Sequence, residues 1–237
     1  MKIGVIGDIH GRNIWKGFIK DLSIDKWVFI GDYVDSFDIP NIYIYHNLLQ
    51  IIEYKKQNPD KVELLIGNHD WQYIFINGRT NCSGFQSNMA NTYQNVFVEN
   101  QDLFKMAYKY KDHLFTHAGV NTEWFDLAKD SLFRYGLEED FSNIDETLNN
   151  LRFTKDKELY DYKGTRSTGE YIPGSPIWCD EKEMLAMPLT GFVHVVGHTN
   201  ISHKMKVSSE SIVFPFKNNV YFTDCLSDHQ HFLKLEL

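Results

Sequence analysis

Five short stretches of this sequence combine glycine with side chains able to hold a metal ion. They are Gly7-Asp8-Ile9-His10-Gly11, Gly31-Asp32-Tyr33-Val34-Asp35, Gly67-Asn68-His69-Asp70, His117-Ala118-Gly119 and Gly197-His198-Thr199. A divalent cation needs several ligands converging from separate chain segments, at least one of them able to bridge. Carboxylate, imidazole and amide oxygen together suit borderline-to-hard ions such as manganese, iron or zinc. Asp8, His10, Asp32, Asn68, His117 and His198 supply that mixture. Four of the five stretches place a glycine directly before the first ligand-like group, where a tight turn and close backbone approach are needed. A single Gly-Asp after a strand is ordinarily only a turn, and a single histidine is more often structural than a ligand. Five such stretches in one chain point instead to a metal site.

Each stretch follows an apolar run, so the elements that position them are read as strands. Lys2–Gly7, Trp27–Gly31 and Val62–Gly67 read as three buried strands. A helical pattern over Asn13–Leu22 and a helix from about Asp38-Ile39-Pro40 to Asn58-Pro59 separate them. Strand-helix-strand alternation predicts a parallel sheet with right-handed crossovers. Ligands of such sheets gather beyond the carboxyl ends of the strands, where these polar residues fall. Asn77-Gly78 and Asn81–Gly84 predict a loop. Ala90–Lys111 reads as one long helix, His113–His117 as a short strand, and Trp124–Leu127 and Glu138–Leu151 as helical. Asp156–Pro176, polar and rich in glycine and proline, reads as a long surface loop covering the site. Phe192–Gly197 is a strand that delivers His198. Ser211–Phe216, Val220–Thr223 and His231–Leu235 read as closing antiparallel strands of a second sheet. The expected fold is α/β: a two-sheet β-sandwich of mixed sheets flanked by helices, with the metal site at strand C-terminal ends, in a single domain spanning 1–237.

The composition, 43% hydrophobic and 24% charged over 237 residues, is that of a globular chain with a substantial core. A net charge of −8 argues against long nucleic acid or an acidic membrane as partner, because phosphate backbones attract basic surfaces. It leaves room for a small phosphorylated substrate held through metal ions. Cys82, Cys179 and Cys225 are widely spaced and odd in number, which predicts reduced thiols and a cytoplasmic protein. Neither a signal peptide nor an apolar stretch of membrane-spanning length is visible.

The five motifs, in this order and across most of the chain, resemble those of the calcineurin-like metallophosphoesterases. Within that group they are most similar to the phosphoprotein phosphatase type, which includes small bacterial and viral Ser/Thr phosphatases and symmetrical diadenosine tetraphosphate hydrolases. The resemblance implies a binuclear centre of two divalent ions, manganese first, with iron, zinc or nickel as alternatives. Asp8 and His10 would bind the first ion, Asp32 would bridge, and Asn68, His117 and His198 would complete the second. A hydroxide bridging the two ions would attack phosphorus in line. His69 would be the general acid and Asp35 the carboxylate orienting it. The implied substrate is a phosphate monoester or a dinucleoside polyphosphate, carried by a small molecule, a nucleotide or a phosphoprotein.

The sequence also departs from that pattern. Ser36-Phe37 stand where the family usually has Arg-Gly, so the arginine that would grip the substrate phosphate is missing. Arg12, Arg79, Arg134, Arg152 and Arg166 are candidates to replace it, Arg166 first and Arg12 second. Asp70 stands where protein phosphatases commonly carry glutamate, and Asn200 stands where other branches carry a second histidine. Two other readings remain open: a phosphodiesterase or nuclease on short oligonucleotides, and a metal-poor scaffold of the same fold that binds a protein partner. Oligomeric state is not legible.

Overall fold

Runs of branched and aromatic residues ending in glycine produce short strands throughout the computed structural model, which describes residues 1–75, 82–164, 172–207 and 212–237. In chain order these residues form β1 (Lys2–Ile6), α1 (Trp15–Phe18), β2 (Lys26–Phe29), α2 (Asn41–Gln57), β3 (Val62–Leu65), α3 (Asn68–Ile74), α4 (Ala90–Glu99), β4 (Phe104–Lys105), β5 (Ala107–Tyr110) and β6 (His113–Thr116). There follow α5 (Thr122–Arg134), α6 (Ile144–Leu151), α7 (Glu181–Ala186), β7 (Val193–Val196), β8 (Lys206–Val207), β9 (Ile212–Val213), β10 (Phe216–Lys217), β11 (Val220–Phe222) and β12 (Leu233–Glu236). None of the described helices is long and apolar enough to cross a membrane.

The chain divides into two units, residues 1–105 with 225–237, and residues 106–224. The sheet of the first has the order β12-β1-β2-β3-β4. β1 to β4 run parallel and β12 closes the edge antiparallel to β1, Lys2 opposite Glu236. β1, β2 and β3 are almost wholly buried, as strands covered on both faces must be. α2 begins right after Pro40, which cannot donate a backbone hydrogen bond, and ends at Asn58 before Pro59. It buries Ile44, Leu48, Ile51 and Ile52, each contributing about 1.5–3 kcal/mol of apolar burial. The second unit carries the order β10-β11-β7-β6-β5, with β11, β7 and β6 parallel and both edges antiparallel.

Several expectations are corrected. The helix read over Asn13–Leu22 shrinks to four residues. Gly17 weakens it, and the Asp21 carboxylate accepts from the Ser23 N–H and hydroxyl, turning the chain out of the helix. The long helix read over Ala90–Lys111 stops at Glu99, and β4 and β5 occupy its second half. Asn149 Oδ1, on α6, accepts from the N–H groups of Met106 and Ala107, and β5 pairs with β6. The stretch read as a surface loop has buried ends: Tyr160 and Ser175 are fully buried and joined by a Ser175 Oγ bond to the Tyr160 carbonyl. The last strand joins the first sheet rather than closing the second, and β11 is parallel to β7 rather than antiparallel. Asn77, Gly78, Asn81 and Ser211 lie outside the described residues. α7 was not anticipated, although Asp180 followed by Glu183 is a recognisable start signal; the Asp180 side chain accepts from the Lys182 and Glu183 N–H groups.

Candidate metal centre

The first unit brings four of the predicted ligands together at the carboxyl ends of β1, β2 and β3. The backbone there is held in unusual conformations. His10, Asp32 and Asp35 all have positive φ, at 42°, 51° and 61°, which costs non-glycine residues energy and is concentrated at functional sites. Gly31 and Gly67 allow the two loops to touch: a Cβ on Gly31 would lie 2.5 Å from the Gly67 nitrogen, and one on Gly67 would lie 2.0 Å from Asp32 Oδ1. The His10 N–H donates to the Asp32 carbonyl at 2.7 Å, fixing the first loop on the second.

The side chains are oriented as ligands would be. His10 Nδ1 faces two carbonyls, those of Val34 at 3.1 Å and Asp35 at 2.8 Å. Carbonyls only accept, so Nδ1 carries the proton and Nε2 the lone pair. That Nε2 sits 3.6 Å from Asp32 Oδ2, too far for a hydrogen bond and suitable for two atoms sharing a cation. Burial lowers the His10 pKa, opposed by the Asp32 charge, which favours the neutral, ligating imidazole. Asp8 and Asp32 are each 2% exposed and offer carboxylate oxygens within 4.8 Å of one another. Two buried anions this close are stabilised by a divalent cation between them, so the donor set fits such an ion. Asn68 donates through Nδ2 to Cys82 Sγ at 3.3 Å, which orients its amide; an amide side chain can bind a metal through its oxygen.

His69 and Asp35 form the second feature of this half. His69 Nδ1 bonds Asp35 Oδ2 at 2.9 Å, so Nε2 is the ring nitrogen not engaged by that carboxylate. The His69 N–H donates to Asp32 Oδ1 at 3.0 Å, and the His69 ring stands edge-on to His10, centroids 5.0 Å apart. Burial by itself would depress the His69 pKa, but the Asp32 charge, the Asp35 bond and the nearby carboxylates outweigh it and raise it above the usual histidine value. The shift favours the imidazolium more than in a free histidine at the same pH.

The supports of this pair were not legible in the sequence: Asp70 stood out only as a departure from glutamate, and nothing singled out Gln72 or Tyr73. Asp70 is fully buried at the third position of α3, where its carboxylate accepts from the N–H groups of Gly67, Asp32 and Tyr33 at 2.8–2.9 Å. Burial and the Asp32 charge push its carboxyl well above the usual range, against the pull of those bonds. Asp35 is held by Gln72 Nε2 at 2.6 Å and by the Tyr73 hydroxyl at 2.5 Å. Gln72 in turn accepts from the Cys82 N–H and Tyr73 from the Gln86 N–H. Gly67 before an Asn-His-Asp triplet was the available signal for a helix N-terminus.

In the second unit His117 and His198 end the adjacent strands β6 and β7, with ring centroids 5.2 Å apart. The Gly197 N–H donates to the His117 carbonyl at 2.8 Å and the Ala118 N–H to the Pro176 carbonyl at 2.7 Å. His117 is fully buried, His198 has φ 62°, and the Trp178 ring stands edge-on to His198 at 5.9 Å. Glycine is required at 119, where φ is 104° and a Cβ would meet Met184 Sδ at 2.4 Å. His194 is structural, fully buried with Nε2 2.9 Å from the Leu189 carbonyl.

Of the candidate phosphate-gripping arginines, Arg166 and Arg79 lie outside the described residues. Arg12 follows the first motif and pairs loosely with Asp38 at 3.7 Å. Arg134 bonds Asp156 at 3.0 Å on the surface, and Arg152 lies over the Phe153 ring.

A family model described as calcineurin-like phosphoesterase matches residues 1–202. The catalytic subunit of serine/threonine-protein phosphatase 4 from Candida glabrata is 27% identical over 168 residues, covering 68% of this chain and 46% of that protein. The Saccharomyces cerevisiae counterpart is 26% identical over 148 residues, covering 61% and 42%. The chain spans about half the length, or less, of these curated relatives. Among solved structures, a cold-active protein-tyrosine phosphatase of a psychrophilic Shewanella species superposes with a TM-score of 0.55 at 19% identity, covering 99% of this chain and 75% of that one. A Saccharomyces cerevisiae protein serine/threonine phosphatase with similarity to human phosphatase PP5 gives 0.51 at 16% identity, covering 94% and 67%. At such identities the structural likeness shows the fold.

Proposed function

We propose a metal-dependent phosphoesterase, starting from the fact that this chain belongs to the calcineurin-like phosphoesterase family, a family of hydrolases that use divalent metals. The substrate is a phosphate monoester or a dinucleoside polyphosphate; the likeness to protein phosphatase catalytic subunits keeps phosphoproteins in that class. Residues 1–237 are read as a single metallophosphoesterase domain. Asp8, His10, Asp32, Asn68, His117 and His198 would hold the divalent ions, Asp8 and His10 serving the first, Asp32 shared, and the other three serving the second. Manganese suits these oxygen and nitrogen donors. Bound ions supply Lewis acidity, which activates water and offsets charge on the phosphoryl oxygens. His69 delivers a proton from Nε2 to the leaving oxygen, while Asp35 holds Nδ1 and steadies the imidazolium before transfer. Arg12 and Arg166 contact the substrate phosphate. Three buried cysteines, none of them in a disulfide, support a reducing, cytoplasmic setting.

The observation that carries this reading is the His10 ring. Two carbonyls lock its tautomer, and its lone-pair nitrogen shares a 3.6 Å gap with Asp32 Oδ2. The test is metal analysis of the purified protein together with manganese-dependent turnover of p-nitrophenyl phosphate, bis-p-nitrophenyl phosphate, a phosphopeptide and diadenosine tetraphosphate. Metal binding with turnover of the monoester or the tetraphosphate is expected. Turnover of the bis ester alone, or tight metal binding without any hydrolysis, would overturn the assignment.

A further inference from the structure

One residue beyond His10 the chain enters a cleft of about 610 Å³ in the first unit, and of the roles assigned above only that of Arg12 reaches into it. One wall is a stripe of α2. Tyr43, His46, Asn47 and Gln50 are spaced i, i+3, i+4 and i+7, so they share one helix face. The opposite face of α2 is apolar and buried. The facing wall is the segment from Gly11 to Lys16, and residues 226–230 close one end.

Two properties of this cleft point to a ligand. The first is charge. Arg12, Lys16 and His46 line it, and no aspartate or glutamate does, in a chain whose net charge is −8. Asp38 approaches Arg12 from outside at 3.7 Å, and Lys16 Nζ donates to Gln50 Oε1 at 2.5 Å. The second is order. Asn47 is buried and fixed from both ends, its Oδ1 accepting from Trp15 Nε1 at 2.9 Å and its Nδ2 donating to the Arg12 carbonyl at 3.1 Å. The backbone that carries Arg12 is therefore built into α2. Tyr43, in the cleft wall, is 65% exposed, which supplies an aromatic face beside the cations.

We infer that this cleft is a subsite for a nucleotide carrying an oligophosphate chain. The inference rests on the phosphoesterase reading and narrows its substrate class. Arg12 reaches the scissile phosphate from the cleft's edge, Lys16 contacts phosphate oxygens beyond it, His46 adds a donor, and the Tyr43 ring offers its face to the base. A volume of this size matches small-ligand pockets. Three basic side chains gathered within it answer a compact polyanion better than the single phosphate of a phosphopeptide.

The test uses the full chain and two readouts. Calorimetry measures binding of inorganic tripolyphosphate to metal-free protein, and steady-state kinetics compare diadenosine tetraphosphate, a phosphopeptide and p-nitrophenyl phosphate with manganese. In Lys16→Glu/His46→Glu, tripolyphosphate binding is expected to weaken about tenfold or more, the scale of one lost charge-assisted contact. The kcat/KM for the tetraphosphate is expected to fall about tenfold further than that for p-nitrophenyl phosphate. Tripolyphosphate binding equal to wild type, or a selective loss on the phosphopeptide instead, overturns the inference. Should the charge reversal prevent folding, Lys16→Gln/His46→Gln carries the same comparison. Wild-type turnover of p-nitrophenyl phosphate reports on the phosphoesterase reading separately. That turnover with unchanged polyphosphate binding in the variant defeats only the cleft, whereas lost polyphosphate binding in the variant of a protein that hydrolyses nothing defeats only the phosphoesterase.

Discussion

The first unit buries carboxylates in two opposite ways. At the strand ends no lysine or arginine answers Asp35 or Asp70 in the bonds described: Asp70 accepts from backbone N–H groups, and Asp35 meets the Gln72 amide, the Tyr73 hydroxyl and the His69 ring. With Asp8 and Asp32 beside them, that region keeps a surplus of negative charge. On β3, Glu63 is answered by ammonium groups: Lys26 Nζ at 2.8 Å, Lys105 Nζ at 2.9 Å and Lys55 Nζ at 3.7 Å. The first arrangement orders the loops while leaving negative charge for a cation to neutralise. The second neutralises the carboxylate within the protein and serves only the sheet. Burial of acidic groups alone does not mark a metal site; the chemistry of their partners does.

Asp70→Asn should break the first arrangement most severely. An asparagine can still accept from Tyr33, but its amide nitrogen would face the N–H groups of Asp32 and Gly67. Loss of about 3–4 kcal/mol is expected in urea denaturation; a variant as stable as wild type would show that the Asp70 carboxylate does not hold the three loops together. His69→Asn should lower kcat about a hundredfold or more while the protein retains its metal. If kcat is unchanged, the acid role assigned to His69 fails, and if metal is lost as well, the side chain acts as a ligand. Glu63→Gln comes next, destabilising by about 2 kcal/mol because three part-buried ammonium groups lose their common partner. Its metal content should stay at the wild-type level, since the cluster belongs to the sheet.

The ligand-bearing turns were legible because each joins an apolar strand, a glycine and a chemically distinctive side chain within a few residues. Asp70 was noted only as a departure from the usual glutamate; its structural role was not legible, because its work is done on backbone N–H groups including those of another loop, and a sequence carries no periodic trace of that. The boundary between α4 and β4 was misread for a different reason. Phe104, Ala107 and Tyr108 fit helical spacing as well as Phe104, Met106 and Tyr108 fit alternation. The choice is made by partners far along the chain, Asn149 on α6 and Phe115 opposite Tyr108 on β6. The Lys26–Lys55–Lys105 surround of Glu63 was equally invisible, since only the parallel register of β2, β3 and β4 assembles it.

The smallest expected effect is also the sharpest test of the contrast between the two kinds of buried acid. Burial alone would raise the Glu63 pKa, but the Lys26 and Lys105 bonds and the surrounding ammonium charges outweigh it and lower it from the usual 4.5. An acid whose folded pKa lies below its unfolded value binds fewer protons in the folded state. It therefore adds stability at pH values above the unfolded pKa, and that stability is lost as pH falls through the folded one. Denaturation of wild type and Glu63→Gln side by side isolates this contribution, because every other titrating group is common to both. The stability gap should be constant from about pH 7 to 5 and then narrow by about 1 kcal/mol toward pH 3. A gap that holds its full width at pH 3 would mean that Glu63 contributes through shape or hydrogen bonding rather than charge. The lysine cluster would then no longer contrast with the donors around Asp35 and Asp70.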